Sequence, residues 1–163
     1  YAEIKLLEEN TLKKNTKKLK FITYRFGTIA GISKGMRFHT AINKFCLNFA
    51  LNKPLPLWKG VENKPSPYLS LRDAFLVIKF TLEKKFFKND VYNIISENLT
   101  LNQIIEYFKK YNKKLKIKHH SSKLVNKYPY IITNKKFSSS VFKLKSKISD
   151  DIKLTLTQFK NLN

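Results

Sequence analysis

An α/β fold is what this sequence predicts, and three observations predict it. Apolar residues recur at helical spacing in several separate stretches, and short runs of β-forming residues stand between those stretches. No internal repeat or low-complexity linker divides the chain, so strands and helices alternate within one unit. Its 163 residues are enough to bury a real core.

The first stretch, "YAEIKLLEEN", has a polar-apolar helical pattern in which Tyr1 and Lys5 project from one face. "LKFITYRF" reads as a strand running into a turn region at Gly27–Gly31. "RFHTAINKFCLNFALNK" predicts a helix with Phe38, Ala41, Ile42, Phe45, Cys46 and Phe49 as its apolar stripe. "NKPLPLWKGVENKPSPYLSL" is punctuated by prolines, with brief strands at Leu55–Trp58 and Tyr68–Ser70. "SLRDAFLVIKFTLEKKF" predicts a second helix, inward-facing at Leu71, Ala74, Phe75, Ile78 and Leu82, with Ser70 and Asp73 as a capping box. "DVYNIIS" is a strand, and "TLNQIIEYFKKY" is a third helix with a box at Thr100 and Gln103. Leu101, Ile104, Ile105 and Phe108 face inward there. "KLKIKHH" and "YPYIIT" are further strand candidates. "ISDDIKLTLTQF" closes the pattern, with Asp150 and Asp151 at the positive start of a helix.

The formal charge of +22 comes almost wholly from lysine, with Arg25, Arg37 and Arg72 the only arginines. A lysine-rich nucleic-acid-binding module is therefore the alternative from another functional class. Readers of nucleic acid use arginine forks, however, and these lysines are spread over every segment, as on an ordinary solvated surface. Nucleic acid is not the expected partner. A single cysteine, Cys46, excludes an internal disulfide and fits a reducing compartment. No apolar run reaches the ~18 residues of a membrane span and no leader is visible, so a cytoplasmic location is expected. His119 and His120 are adjacent, which is poor spacing for one metal ion, and no metal site is expected. No G-x-G-x-x-G or Walker-type loop occurs, so the phosphate loop for any nucleotide cofactor is expected outside this chain.

The chemistry rests on Tyr1 and Lys5. A free tyrosine, with a pKa near ~10, is a poor base at neutral pH. An ammonium one helical turn away favours the phenolate, and a positively charged nicotinamide favours it further. That combination suits removal of a sugar hydroxyl proton.

"YAEIK", "YRFGTIAGISKGMRFHTAINKF", "PYLSLRDAF", "DVYNIISENLTLNQII" and "NKYPY" follow in an order that resembles the C-terminal portion of an extended short-chain dehydrogenase/reductase. More narrowly, the chain resembles the NAD-dependent epimerase/dehydratase family that works on nucleotide sugars, from Tyr1 to about Phe159. The resemblance implies that about 1–31 ends a Rossmann core, that about 32–163 is mainly the substrate-binding part, and that the N-terminal Rossmann half is absent. It also implies NAD as cofactor, a nucleotide-sugar substrate, the missing half as a partner, and a homodimer. By resemblance Tyr1 is the catalytic base, Lys5 binds the nicotinamide ribose, and Phe26 and Gly27 lie against the nicotinamide. Thr28, Ser33, Arg37, Asn43, Lys64 and Tyr68 take the nucleotide-sugar side, with Arg37 on a phosphate. Departures from the family are Ser66, where relatives carry Arg, His39 in place of Asp, and Val141 in place of Gly. The implied activity is that of a UDP-glucose 4-epimerase-like enzyme, with a sugar-nucleotide 4,6-dehydratase as the alternative. The chain alone is expected to be inactive and to leave an apolar face uncovered.

Overall fold

The structure, a computed structural model, describes residues 1–121 and 130–160. Six helices and seven strands alternate in them: α1 (Ala2–Lys14), β1 (Ile22–Phe26), β2 (Thr28–Ala30), α2 (Ala41–Ala50), β3 (Leu55–Trp58), β4 (Ser66–Ser70), α3 (Leu71–Glu83), β5 (Asp90–Ile94), β6 (Glu97–Leu99), α4 (Leu101–Lys109), β7 (Ile117–His120), α5 (Lys135–Ser140) and α6 (Ile148–Phe159).

Three small sheets carry the topology. β1 pairs in parallel with β5, and β3 in parallel with β7. β2 lies parallel to β4, whose other edge takes β6 antiparallel. Parallel neighbours need crossovers, and the helices between the strands supply them. The apolar residues gather in two clusters. One joins α2, α4 and α6 to β3 and is centred on Phe45, Phe108 and Ile152. The other packs α3 and α5 on the β1–β5 pair around Val77, Tyr92 and Phe137.

The helix α4 begins as its sequence requires. Thr100 N–H donates to Gln103 Oε1 (2.8 Å), and Gln103 N–H donates to Thr100 Oγ1 (3.1 Å). Ile104, Ile105 and Phe108 are buried beneath it. In α2, Ile42, Phe45 and Cys46 are buried, but the helix starts only after the extended Thr40. Phe38 is therefore left in the preceding turn, 40 % exposed, with its ring 6.2 Å from that of Phe159.

α3 departs further from expectation. Its buried face carries Asp73, Ala74, Val77 and Thr81, while Phe75, Ile78 and Leu82 face solvent. The Asp73 carboxylate sets this rotation, because it is drawn inward by the Ser96 hydroxyl at 2.6 Å and the Ser146 hydroxyl at 2.7 Å. No capping box forms, and Ser70 makes no side-chain cap. The Ser70 N–H instead donates to Ser96 Oγ at 2.9 Å.

The stretch "YPYIIT" forms no strand over residues 130–133, and Tyr128 and Pro129 lie outside the described residues, as does most of "NKYPY". Ile132 is held like a strand residue all the same. Its N–H donates to Asn98 Oδ1 (3.1 Å) and its carbonyl accepts from Asn98 Nδ2 (2.9 Å). Two short strands, β2 and β6, were too brief to carry a legible pattern. Among the described residues no helix is long and apolar enough to cross a membrane.

Candidate active site

A cleft of about 620 Å³ opens where α1, β2, the turn after it and the start of α2 meet. Tyr1, Gly27, Thr28, Ser33, Arg37 and Asn43, all expected site residues, line it together. Met36, Thr40 and Leu71, not among the expected site residues, and His39, expected only as a departure from the family, also line the cleft. No carboxylate is among the lining residues, whereas Arg37 and His39 are. The cleft is therefore a place for an anion rather than a cation.

Tyr1 precedes α1 and is 92 % exposed, so its phenol stands open at the cleft mouth. Lys5 lies one turn on, with its Nζ 5.9 Å from the centre of the Tyr1 ring. Its ammonium also donates to Glu8 Oε2 at 2.8 Å. The pKa of Lys5 is raised, first by that hydrogen bond and by the Glu8 charge, so it stays protonated. α1 reaches the rest of the molecule through Glu9, its one buried residue. Both Glu9 oxygens accept from the Arg25 guanidinium, Nε at 2.7 Å and Nη2 at 2.6 Å.

β1 delivers the chain to the cleft floor. Gly27 N–H donates to Ile94 O at 3.0 Å, and a Cβ here would stand 3.0 Å from Pro67 O and 3.1 Å from Ile95 Cγ2. Only glycine lets the strand pass that closely. At the end of β2, Gly31 has φ +133°, and a Cβ would meet Leu71 Cβ at 2.9 Å. The turn that follows is tied down from α2. Arg37 O accepts from Thr40 Oγ1 (3.2 Å) and Asn43 Nδ2 (3.1 Å). Asn43 is buried, with an Oδ1 that has no partner, so it is a fixed part of the cleft wall and not a solvent-facing helix residue.

Lys5, Phe26, Lys64 and Tyr68 do not line the cleft. Phe26 ends β1 and stacks on Tyr24, with ring centres 5.9 Å apart. Lys64 lies in the connection between β3 and β4. Tyr68 pairs with Thr28 across β2 and β4 but turns its ring into the first core cluster. Burial pushes its hydroxyl up to about 12. Cys46 is likewise a core residue, pushed up to about 12 by burial. Among the described residues, no group of three or more His, Cys, Asp or Glu side chains is placed to hold a metal ion.

No family model matches the chain. Solved structures do. UDP-N-acetylglucosamine 4-epimerase from Methanobrevibacter ruminantium superposes with a TM-score of 0.83 at 15 % identity, over 100 % of this chain and 54 % of that one. The chain has the fold of nucleotide-sugar epimerases. UDP-glucuronic acid 4-epimerase from Bacillus cereus, solved with UDP-glucuronic acid and NAD, gives 0.78 at 20 % identity over 95 % of this chain and 50 % of that one. An NAD-dependent NDP-hexosamine 5,6-dehydratase of tunicamycin biosynthesis gives 0.75 at 15 % identity over 91 % and 50 %. The chain thus spans about half the length of the structures that share its epimerase fold.

Proposed function

We propose that this chain is the substrate-side half of an NAD-dependent nucleotide-sugar epimerase, with the 4-epimerase reaction as its chemistry. The observation that carries the reading is the cleft itself. Tyr1 stands over a carboxylate-free pocket that also holds Thr28, Ser33 and Arg37, beside a lysine at one-turn spacing. The epimerase fold and the NAD seen with the Bacillus cereus enzyme support it.

The residues present fit the nicotinamide end of NAD. An open phenol at the cleft mouth, with the protonated Lys5 amine one turn along the same helix, offers hydrogen-bonding groups to the nicotinamide ribose. When bound, NAD supplies a hydride acceptor that also returns the hydride. The chain's own work is binding and proton transfer. Arg37 pairs with a substrate phosphate through its fork. Thr28 and Ser33 hydroxyls hydrogen-bond the diphosphate or sugar. Tyr1 takes the sugar C4 hydroxyl proton and gives it back, with Lys5 one turn along the same helix. The Rossmann half that holds the cofactor phosphates completes the enzyme and covers the apolar face of α3.

The alternative with a specific observation behind it is dehydration, since a dehydratase shares the fold. Product analysis by NMR separates the two. The chain joined to a cofactor-binding half and given UDP-glucose should yield UDP-galactose. A 4-keto-6-deoxy sugar as product would establish the dehydratase instead, and no conversion of UDP-glucose or GDP-mannose would overturn both.

A further inference from the structure

We infer that Asn43 and Thr40 are positioning residues: together they hold the Arg37 carbonyl and thereby set the guanidinium that meets the substrate phosphate. The phosphate role of Arg37 rests on the proposed function, whereas the contacts themselves lie within the chain. Arg37 O accepts from two donors, Asn43 Nδ2 at 3.1 Å and Thr40 Oγ1 at 3.2 Å. A carbonyl oxygen has two lone pairs, so both are engaged. The peptide plane that contains this oxygen also contains the Arg37 Cα, because the C–N bond does not rotate freely. Restraining the oxygen therefore restrains the atom from which the Arg37 side chain leaves. A guanidinium pairs with phosphate through a planar fork, so the direction in which it leaves matters as well as its charge.

The clamp is anchored from inside the chain. Asn43 lies on α2 beside Ile42 and two residues before Phe45, both buried in the first core cluster. Asn43 itself is 5 % exposed, and any further part of the enzyme can only cover it more. It lines the cleft, yet so little of it is open that its effect on a ligand passes through what it holds. The amide can face Arg37 in one sense only. Arg37 O is an acceptor, so the nitrogen points to it, and Oδ1 is left buried without a partner. An unpaired buried acceptor opposes folding, and an apolar side chain of similar volume would avoid that cost. Packing alone therefore does not account for an asparagine here. The hydrogen bond to Arg37 does.

The test is a double-mutant cycle on UDP binding, measured by calorimetry on the chain joined to a cofactor-binding half, with NAD present. Arg37→Ala should weaken UDP binding by about tenfold or more, through loss of a charge-assisted contact. Asn43→Leu should weaken it severalfold in the parent and not at all in the Arg37→Ala background, where nothing is left to position. Its urea midpoint should equal or exceed that of the parent, because the orphaned Oδ1 goes with the amide. Thr40→Val removes the other donor and should show the same dependence on Arg37 with a smaller loss. It serves if Asn43→Leu does not fold. UDP binding weakened equally with and without Arg37 would mean direct contact with the ligand. That result would overturn the inference and leave the phosphate role of Arg37 standing. Unchanged UDP affinity in the variants that fold, whatever their urea midpoint, would overturn it too. UDP binding unaltered by Arg37→Ala would overturn the phosphate role itself, and the inference with it.

Discussion

Asp151→Asn should make the protein more stable at neutral pH and leave it unchanged in acid. Asp151 lies in the first turn of α6 with a buried Oδ2 that has no partner. The Ser70 hydroxyl faces it without completing a hydrogen bond. Burial pushes its carboxyl from 3.8 up to about 6; Ser70 opposes this, and Asp73, Asp150 and Glu97 add to it. A raised folded pKa means that the folded state binds more protons than the unfolded one between those two values. Stability from this group is thus complete below pH ~4 and is lost as pH rises through about 6. Two pH units correspond to about 3 kcal/mol in a dry site. The carboxyl keeps partial access to water, which screens the effect to about 1–2 kcal/mol. Urea unfolding followed by Trp58 fluorescence, from pH 4 to pH 8, measures the difference between variant and parent. The difference isolates Asp151 from Glu9 and Asp90, whose pKa values are lowered by Arg25 and Lys136 and whose contributions fade as pH falls. The variant should gain about 1–2 kcal/mol above pH 7 and nothing near pH 4. A gain that is absent at pH 7, or equal at every pH, would refute the reasoning.

Two further substitutions probe the frame around the cleft. Gly31→Ala, at φ +133° and with Leu71 Cβ 2.9 Å from the new methyl, should cost about 2–4 kcal/mol in urea unfolding. Thr100→Ala removes one half of the α4 capping box and should cost about 1 kcal/mol, read as a lower thermal midpoint with an unchanged fold.

Much of this architecture was legible because the elements agree with their local sequence. The box at Thr100 and Gln103 and the stripe of Ile104, Ile105 and Phe108 specify α4 without any tertiary help. Through its resemblance the sequence also pointed to six residues that share the cleft: Tyr1 before α1, Gly27 and Thr28 where β1 passes into β2, Ser33 and Arg37 in the turn that follows, and Asn43 in α2. It failed where a long-range polar contact overrode apolar periodicity. Asp73 turns α3 because Ser96 and Ser146 reach it from distant segments, and neither is visible in a helical wheel. The anchoring of Asn43 is likewise not local, because its partner is the carbonyl of Arg37 in the turn before its helix. Glu9 carried a signal that went unused. It continues the Tyr1–Lys5 spacing by one more turn, yet nothing local announces that Arg25 would bury it.

The central claim is that Tyr1 is the base of a sugar-nucleotide site. Turnover of UDP-glucose by Tyr1→Phe, in the chain joined to a cofactor-binding half, tests it most directly. The substitution should lower kcat by about 10²–10⁴-fold and change UDP-glucose affinity little. Turnover within a few-fold of the parent would contradict it.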